Sequence, residues 1–138
     1  MNRPIGYWIK QLDASLEAQL DATLARLHLT RRQWHVLTAL NAGPATPAEV
    51  GDILFPFNSA GGAAAQERDM AALVREKLVV LLEGRLALTD AGSALHAQAA
   101  ALVEATRREL TAGIGADEYA MAVSVLERMS RNADRLTR

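Results

Sequence analysis

Hydrophobic positions repeat every three or four residues over most of this chain, a pattern typical of amphipathic helices. The first such stripe covers residues 5–27 and comprises Ile5, Ile9, Leu12, Leu16, Leu20, Leu24 and Leu27. Acidic residues lie on another face of the same stretch. The pattern predicts a helix over 5–27 whose apolar face packs on the chain's own core or on a second subunit.

Capping signals predict two short helices next. Thr30 is a candidate N-cap for a helix that ends before Gly43 and Pro44. Thr46-Pro47-Ala48-Glu49 has the form of a capping box with proline at the first helical position, which predicts a helix to about Leu54. Residues 55–62, with their Pro and Gly, break the helical pattern and predict a loop.

A hairpin separates the remaining helices. A helix is predicted from Ala63 or Ala64 to Lys77, and two apolar runs, 79–82 and 85–88, then flank the two-residue turn Glu83-Gly84. Glycine accepts the positive φ that tight hairpin turns require, so this is a strong hairpin signal. Because an isolated hairpin is marginally stable, we expect it to pack against the preceding helices.

Two long helices close the chain. The first follows 89–92 and ends at 113–115, and the second begins near 116–118 and extends to about Leu136. The order helix, turn, helix, hairpin indicates a mainly α, winged helix-turn-helix fold with a small β-hairpin wing. The helices at both ends of the chain carry wide apolar stripes that a monomer could hardly bury, which predicts a helical dimerisation region formed by both ends. We therefore expect a single domain over 1–138, with dimerisation helices at 5–27 and 93–137, a lobe at 30–90 and a wing at 79–88.

Composition excludes several classes of protein. The chain has 138 residues, a formal net charge of -1 and no cysteine, so disulfides and thiolate metal sites are absent. It lacks an uncharged apolar run near the roughly 20 residues that span a bilayer, and its beginning does not resemble a signal peptide, so we expect a cytoplasmic protein without a membrane partner.

Three scattered histidines do not form a metal motif, no nucleophile lies near a base, and no phosphate-binding loop occurs. We expect neither an enzyme nor a cofactor.

Three stretches of the chain carry a family resemblance: residues 29–37, residues 88–92 and the helix from Ala116 to Asn132. In this order and spacing, they resemble the MarR family of winged-helix transcription regulators. The resemblance implies a homodimer with interleaved first and last helices, a reading helix for the major groove of double-stranded DNA and a wing for the minor groove. Such proteins commonly act as repressors that a small phenolic or other apolar effector releases.

The resemblance implies six candidate DNA contacts. On the reading helix they are Gln66, Arg68 and Arg75; on the wing, Arg85; and near the DNA backbone, Arg31 or Arg32. The alternative for Arg68 and Arg75 is a solvated face paired through neighbouring carboxylates. The chain departs from the family's pattern, because alanines occupy the reading positions and the wing is short.

An effector pocket is implied around Trp8, Leu12, Trp34 and His35, although aromatic residues at helical spacing more often belong to a core. Two functions compete. The first is a MarR-type regulator bound to an inverted-repeat operator. The second is a degenerate winged-helix dimer that binds ligands or proteins without sequence-specific DNA binding, which the neutral charge and alanine-rich helix favour.

Overall fold

The computed structural model describes residues 2–55 and 62–137, in which it holds six helices and one two-stranded antiparallel sheet. The elements are α1 (Ile5–Ala25), α2 (Arg31–Asn41), α3 (Pro47–Leu54), α4 (Gly62–Arg75), β1 (Val79–Leu82), β2 (Arg85–Leu88), α5 (Asp90–Leu110) and α6 (Ala116–Leu136). The mainly α winged-helix fold is confirmed. The predicted loop over residues 55–62 falls largely on residues 56–61, which lie outside the described residues.

Reciprocal capping fixes the starts of α2 and α3. Thr30 Oγ1 accepts a hydrogen bond from the Gln33 amide at 3.1 Å, and Gln33 Oε1 accepts one from the Thr30 amide at 3.0 Å. Thr46 and Glu49 make the same pair of bonds at 3.1 and 3.0 Å. Each box satisfies two backbone donors that a helix start leaves unpaired, as the sequence predicts.

One hydrophobic core joins the first five helices and the hairpin. Its fully buried large side chains are Leu24, Val36, Leu37, Val50, Leu54, Leu73 and Val79. Only the last part of α1 contributes to this core, through Leu20 and Leu24. The earlier part of α1 is exposed, and this leaves half of its predicted apolar stripe uncovered within the chain.

The hairpin has the predicted register and an additional backbone partner. Val79 pairs with Leu88 and Leu82 with Arg85, and the turn residues Glu83 and Gly84 have φ values of 52° and 77°, as a type I′ turn requires. On the other side of β2, Leu86 exchanges two backbone hydrogen bonds with Ala45, at 2.7 and 3.0 Å. The hairpin is therefore anchored to the residue that leads into α3, as well as packing against α2 and α4.

The helices α1 and α4 each end two residues earlier than the sequence predicts. After α1, His28 has a φ of 58° and the Leu29 amide donates to the Leu24 carbonyl at 3.1 Å. After α4, Lys77 has a φ of 63° and the Leu78 amide donates to the Leu73 carbonyl. Both ends have the six-residue closing bond of a Schellman motif, here with a non-glycine residue in the left-handed position. Because glycine is absent from both left-handed positions, the usual sequence signal for the end of a helix is missing there.

The start of α5 corrects the predicted boundary at residue 93. Thr89 is the cap of this helix: its Oγ1 accepts from the Gly92 amide at 3.0 Å and donates to the Lys77 carbonyl at 2.7 Å. Residues 90–92 therefore form the first turn of α5, which ends at Leu110 rather than near residue 113. The short distance from the hairpin to the helix leaves no room for a separate turn.

The chain divides after Thr106 into two compact units, residues 1–106 and residues 107–138. The expectation of a single domain stays a prediction. In the second unit, the Gly115 amide donates to Glu118 Oε1 at 2.9 Å at the start of α6, and Arg107 donates to the Tyr119 hydroxyl at 3.5 Å. None of the described helices is long and apolar enough to cross a membrane.

Candidate nucleic-acid interface

One face of α4 is exposed along the whole helix. It consists of Ala64, Glu67, Arg68, Ala71 and Arg75, which we call the reading face. These positions recur at the three- and four-residue spacing that places side chains on one side of a helix. The opposite side of α4 is anchored in the core by the fully buried Leu73.

Arg68 and Arg75 extend from the reading face without an acidic partner. The positions three and four residues away from Arg68 hold only alanine, and those around Arg75 are also apolar. Within the described part of the chain, no carboxylate lies in salt-bridge distance of either guanidinium. The two arginines are seven positions apart, which is about 10 Å along the helix axis. The proposed pairing with neighbouring carboxylates is not seen, so both cations are available to an anionic partner.

Gln66 lies beside the reading face rather than on it. The side chain is half-buried, and a Cβ atom built on Gly51 would lie 3.6 Å from its Nε2 atom. Gln66 therefore packs towards α3. Its predicted role as a base contact stays a prediction.

The two arginines at the start of α2 are engaged by carboxylates on different helices. Arg31 Nε lies 2.7 Å from Asp21 Oδ1, and its Nη1 lies 3.2 Å from Glu17 Oε1, both on α1. Arg32 Nη1 lies 3.9 Å from Asp69 Oδ2 on α4. Because the N-terminal end of a helix disfavours cations, these carboxylates offset the local field.

Asp69 receives a second interaction, since Thr30 Oγ1 donates to its Oδ2 at 3.4 Å. The start of α2 is thus connected to the middle of α4 by Thr30 and Arg32 together. The sequence did not predict that Asp69 would connect α4 to α2. Thr30 and Asp69 are 39 positions apart, and no local sequence pattern indicates a contact over that distance.

The wing carries a single cation and two exposed leucines. Hydrogen bonds with the Thr46 backbone and side chain lower the pKa of Glu49, and the charge of the exposed Arg85 lowers it slightly further. Leu81 and Leu82 are more than half exposed near the tip. The wing is therefore apolar apart from Arg85 and Glu83.

Charge over the lobe is nearly balanced. Residues 30–90 contain seven carboxylates and six cationic side chains. A DNA contact here depends on a few placed cations and not on a broad positive surface. Among residues 2–55 and 62–137, no cluster of His, Asp and Glu suits a metal ion.

The residues of the predicted effector pocket lie in two different environments. Trp34 packs against the core and stacks on His96 of α5, with ring centroids 5.0 Å apart and an interplanar angle of 12°. His35 is half-buried, and burial followed by the charge of Arg31 lowers its pKa. Trp8 and Leu12 instead lie exposed on the first half of α1. Nothing in the sequence pattern indicated that His96 would be the partner of Trp34.

Burial also lowers the pKa of His96, whose Nε2 lies 3.4 Å from Thr38 Oγ1. The stack and this contact join α2 to α5. The region around Trp34 is therefore a packed aromatic junction that contains two imidazoles whose pKa is lowered by burial. The grouping of all four predicted pocket residues stays a prediction.

Comparison with solved structures gives a consistent result. The chain is similar to the reduced form of MarR from E. coli, with 28% identity, a TM-score of 0.71 and coverage of 94% of this chain and 95% of that one. It is similar to a mutant of the same protein complexed with operator DNA, with 27% identity, a TM-score of 0.72 and coverage of 91% and 93%. A MarR-family protein of Mycobacterium tuberculosis in complex with DNA shares the fold, with 24% identity, a TM-score of 0.74 and coverage of 93% and 98%.

No family model matches the sequence, and no curated protein sequence matches it either. The likeness therefore rests on structure together with the 27–28% identity over more than nine-tenths of the chain.

Proposed function

We propose that this chain, a winged-helix protein of the MarR type, is a non-enzymatic transcriptional regulator that binds double-stranded DNA through the reading face of α4. The observation that carries the proposal is the pair Arg68 and Arg75, exposed two helical turns apart with no acidic partner on their helix. The similarity to MarR structures, one of them complexed with operator DNA, supports the same partner.

The binding unit in this proposal is a homodimer acting on an inverted repeat in the cytoplasm. On α1, large apolar side chains are exposed at helical spacing: Ile5, Trp8, Ile9, Leu12 and Leu16. On α6 no described residue is buried, and Tyr119, Val123, Leu126 and Met129 are similarly exposed. Apolar surfaces of this extent mark protein interfaces, and a second copy of the chain supplies matching ones. Twofold symmetry then spaces two reading helices about one DNA turn apart.

Within the dimer, Arg68 and Arg75 contact the major groove or its phosphates, Arg85 contacts the backbone beside the wing, and Gln66 supports α4 from the side of α3. Arg31 and Arg32 act near the DNA backbone while they are held by their carboxylates.

We further propose repression, relieved when a small apolar effector binds at the junction of Trp34 and His35 with the exposed face of Trp8 and Leu12.

The direct test is fluorescence anisotropy with a labelled fragment of the promoter of the chain's own gene, at low and at physiological salt. We expect saturable binding whose affinity falls steeply with salt, because a few arginine–phosphate contacts supply it. Arg68→Ala and Arg75→Ala should each weaken binding by about tenfold. Arg108→Ala, an exposed arginine at the end of α5, is the matched control and should leave binding unchanged.

A second candidate function is favoured by the balanced charge of residues 30–90 and the exposed leucines of the wing. In this case the dimer binds a ligand or a protein and does not read DNA. If the folded, dimeric protein shows no saturable binding to DNA at low salt, this result would favour the second function over the first.

A further inference from the structure

Glu67 is an exposed carboxylate at the centre of the reading face. The positions three and four residues away along α4 hold Ala63, Ala64, Met70 and Ala71, so no cation on its own helix faces it. In the described part of the chain, Glu67 takes part in no ion pair. The residue is therefore neither part of a surface charge network nor a support for the core.

A carboxylate in this place is unfavourable beside DNA unless it meets a hydrogen-bond donor. Duplex DNA carries one phosphate charge per roughly 1.7 Å of axis, and a carboxylate is an acceptor only. In the major groove the donors are the N4 amino group of cytosine and the N6 amino group of adenine. In adenine, the N7 acceptor lies next to the N6 amino group and repels a carboxylate. Cytosine has no acceptor of its own beside N4 in the major groove.

The neighbours of Glu67 on the reading face fit a close approach to bases. Ala64 and Ala71 lie about one turn before and after it, and both are exposed. Their methyl groups are small, so α4 can approach the floor of the groove closely. These groups form no hydrogen bonds, and the base group that they can contact favourably is the thymine methyl. Arg68 follows directly and is suited to guanine or to a phosphate.

We propose that Glu67 is a specificity-determining residue that accepts a hydrogen bond from the N4 amino group of a cytosine in each operator half-site. The cytosine lies beside thymines contacted by Ala64 and Ala71. Sequences without this cytosine are rejected, because Glu67 then remains desolvated and unpaired next to phosphates. This inference rests on the proposed DNA-binding function and adds to it the chemistry of one base.

The test is selection of bound sequences from a random duplex pool, performed in parallel with the unaltered chain and with Glu67→Ala and Glu67→Gln. The unaltered chain should enrich an inverted repeat with a cytosine in each half-site, and replacing that cytosine should weaken binding by about tenfold or more. Glu67→Ala should lose the preference at this position alone and bind other sequences more tightly. Glu67→Gln should change the preference towards adenine, which a glutamine amide pairs with on two atoms.

Glu76→Gln is the matched control, since it removes an exposed carboxylate just after α4 and off the reading face. It should leave the base preference unchanged. Enrichment of the same half-site by the unaltered chain and by Glu67→Ala would overturn the assignment of Glu67 while DNA binding stands. Enrichment of no sequence by folded, dimeric protein would overturn the proposed function itself.

Discussion

A Cβ atom built on Gly92 would lie 1.9 Å from the carbonyl oxygen of Leu78. The first turn of α5 thus passes directly over the backbone that enters β1, and the Thr89 hydroxyl bonds both sides of this junction. Neither backbone segment is free to shift. Gly92→Ala should lower the free energy of unfolding by roughly 2–4 kcal/mol, measured by urea unfolding.

Gly6→Ala is the control for that substitution. Gly6 also lies in a helical first turn, but a Cβ atom there meets nothing within 4 Å. Alanine at this position should leave stability unchanged or raise it by up to about 1 kcal/mol. Equal losses at Gly6 and Gly92 would contradict a specific clash at the junction.

Glycine at the left-handed helix ends should stabilise the chain. His28 and Lys77 have φ values of 58° and 63°, a region that residues with a Cβ adopt at a cost. His28→Gly and Lys77→Gly should each raise the free energy of unfolding by roughly 0.5–1 kcal/mol. Ala22→Gly, an exposed position inside α1 six residues before His28, should instead lower it by about 1 kcal/mol. Thermal or urea unfolding of the three variants measures the contrast in sign.

The pair Arg31–Asp21 should contribute little to stability despite its short distance. The two side chains are 39% and 53% exposed, so solvent screens their attraction. A double-mutant cycle with Arg31→Gln and Asp21→Asn should give a coupling energy of about 0.5 kcal/mol that disappears in about 1 M salt. The same variants test the predicted phosphate contact, since Arg31→Gln should weaken DNA binding and Asp21→Asn should not.

Stability should decrease on acidification through His35 and His96. Burial lowers the pKa of both rings, and the charge of Arg31 lowers that of His35 further. Above the ordinary value of 6.5 both rings are neutral in folded and unfolded chains. As the pH falls below it and through the lowered folded pKa, the unfolded chain binds protons first, and the free energy of unfolding falls.

Urea unfolding at about pH 8 and about pH 5 measures this effect. A variant with His35→Gln and His96→Gln should lose less stability between the two pH values than the unaltered chain. An equal loss in both proteins would assign the acid sensitivity to other groups.

Dimer formation should depend on the apolar face of α6. Leu126 is 43% exposed, and Leu126→Glu would place a charge in the proposed interface. We expect the dimer dissociation constant to rise by about a hundredfold or more, measured by sedimentation over a range of concentrations. Ser124→Glu introduces the same charge two residues earlier and on another side of α6, and should leave the dimer intact. A monomer for the unaltered chain would refute the proposed assembly.

Local signals made much of the fold predictable. The Thr46–Glu49 capping box, the Thr30 cap and the hairpin turn at Glu83-Gly84 lie where the sequence predicts them. Each depends on residues within four positions of one another, and short-range hydrogen bonds or backbone preferences decide the outcome.

The interface was less predictable, because its contacts join distant parts of the chain. The carboxylates that hold Arg31 and Arg32 come from α1 and α4, and the stacking partner of Trp34 comes from α5. Position along the chain carries no signal for such pairs. The same holds for the approach of the Gln66 side chain to Gly51 of α3, since these two residues are fifteen positions apart.

The backbone pairing of Ala45 with Leu86 makes β2 the middle of three extended segments. The hairpin therefore reaches the residue that enters α3 through two backbone hydrogen bonds, in addition to its packing against α4. A shift of the wing is accordingly transmitted to both of these helices, since backbone bonds hold it on one side and side-chain packing on the other.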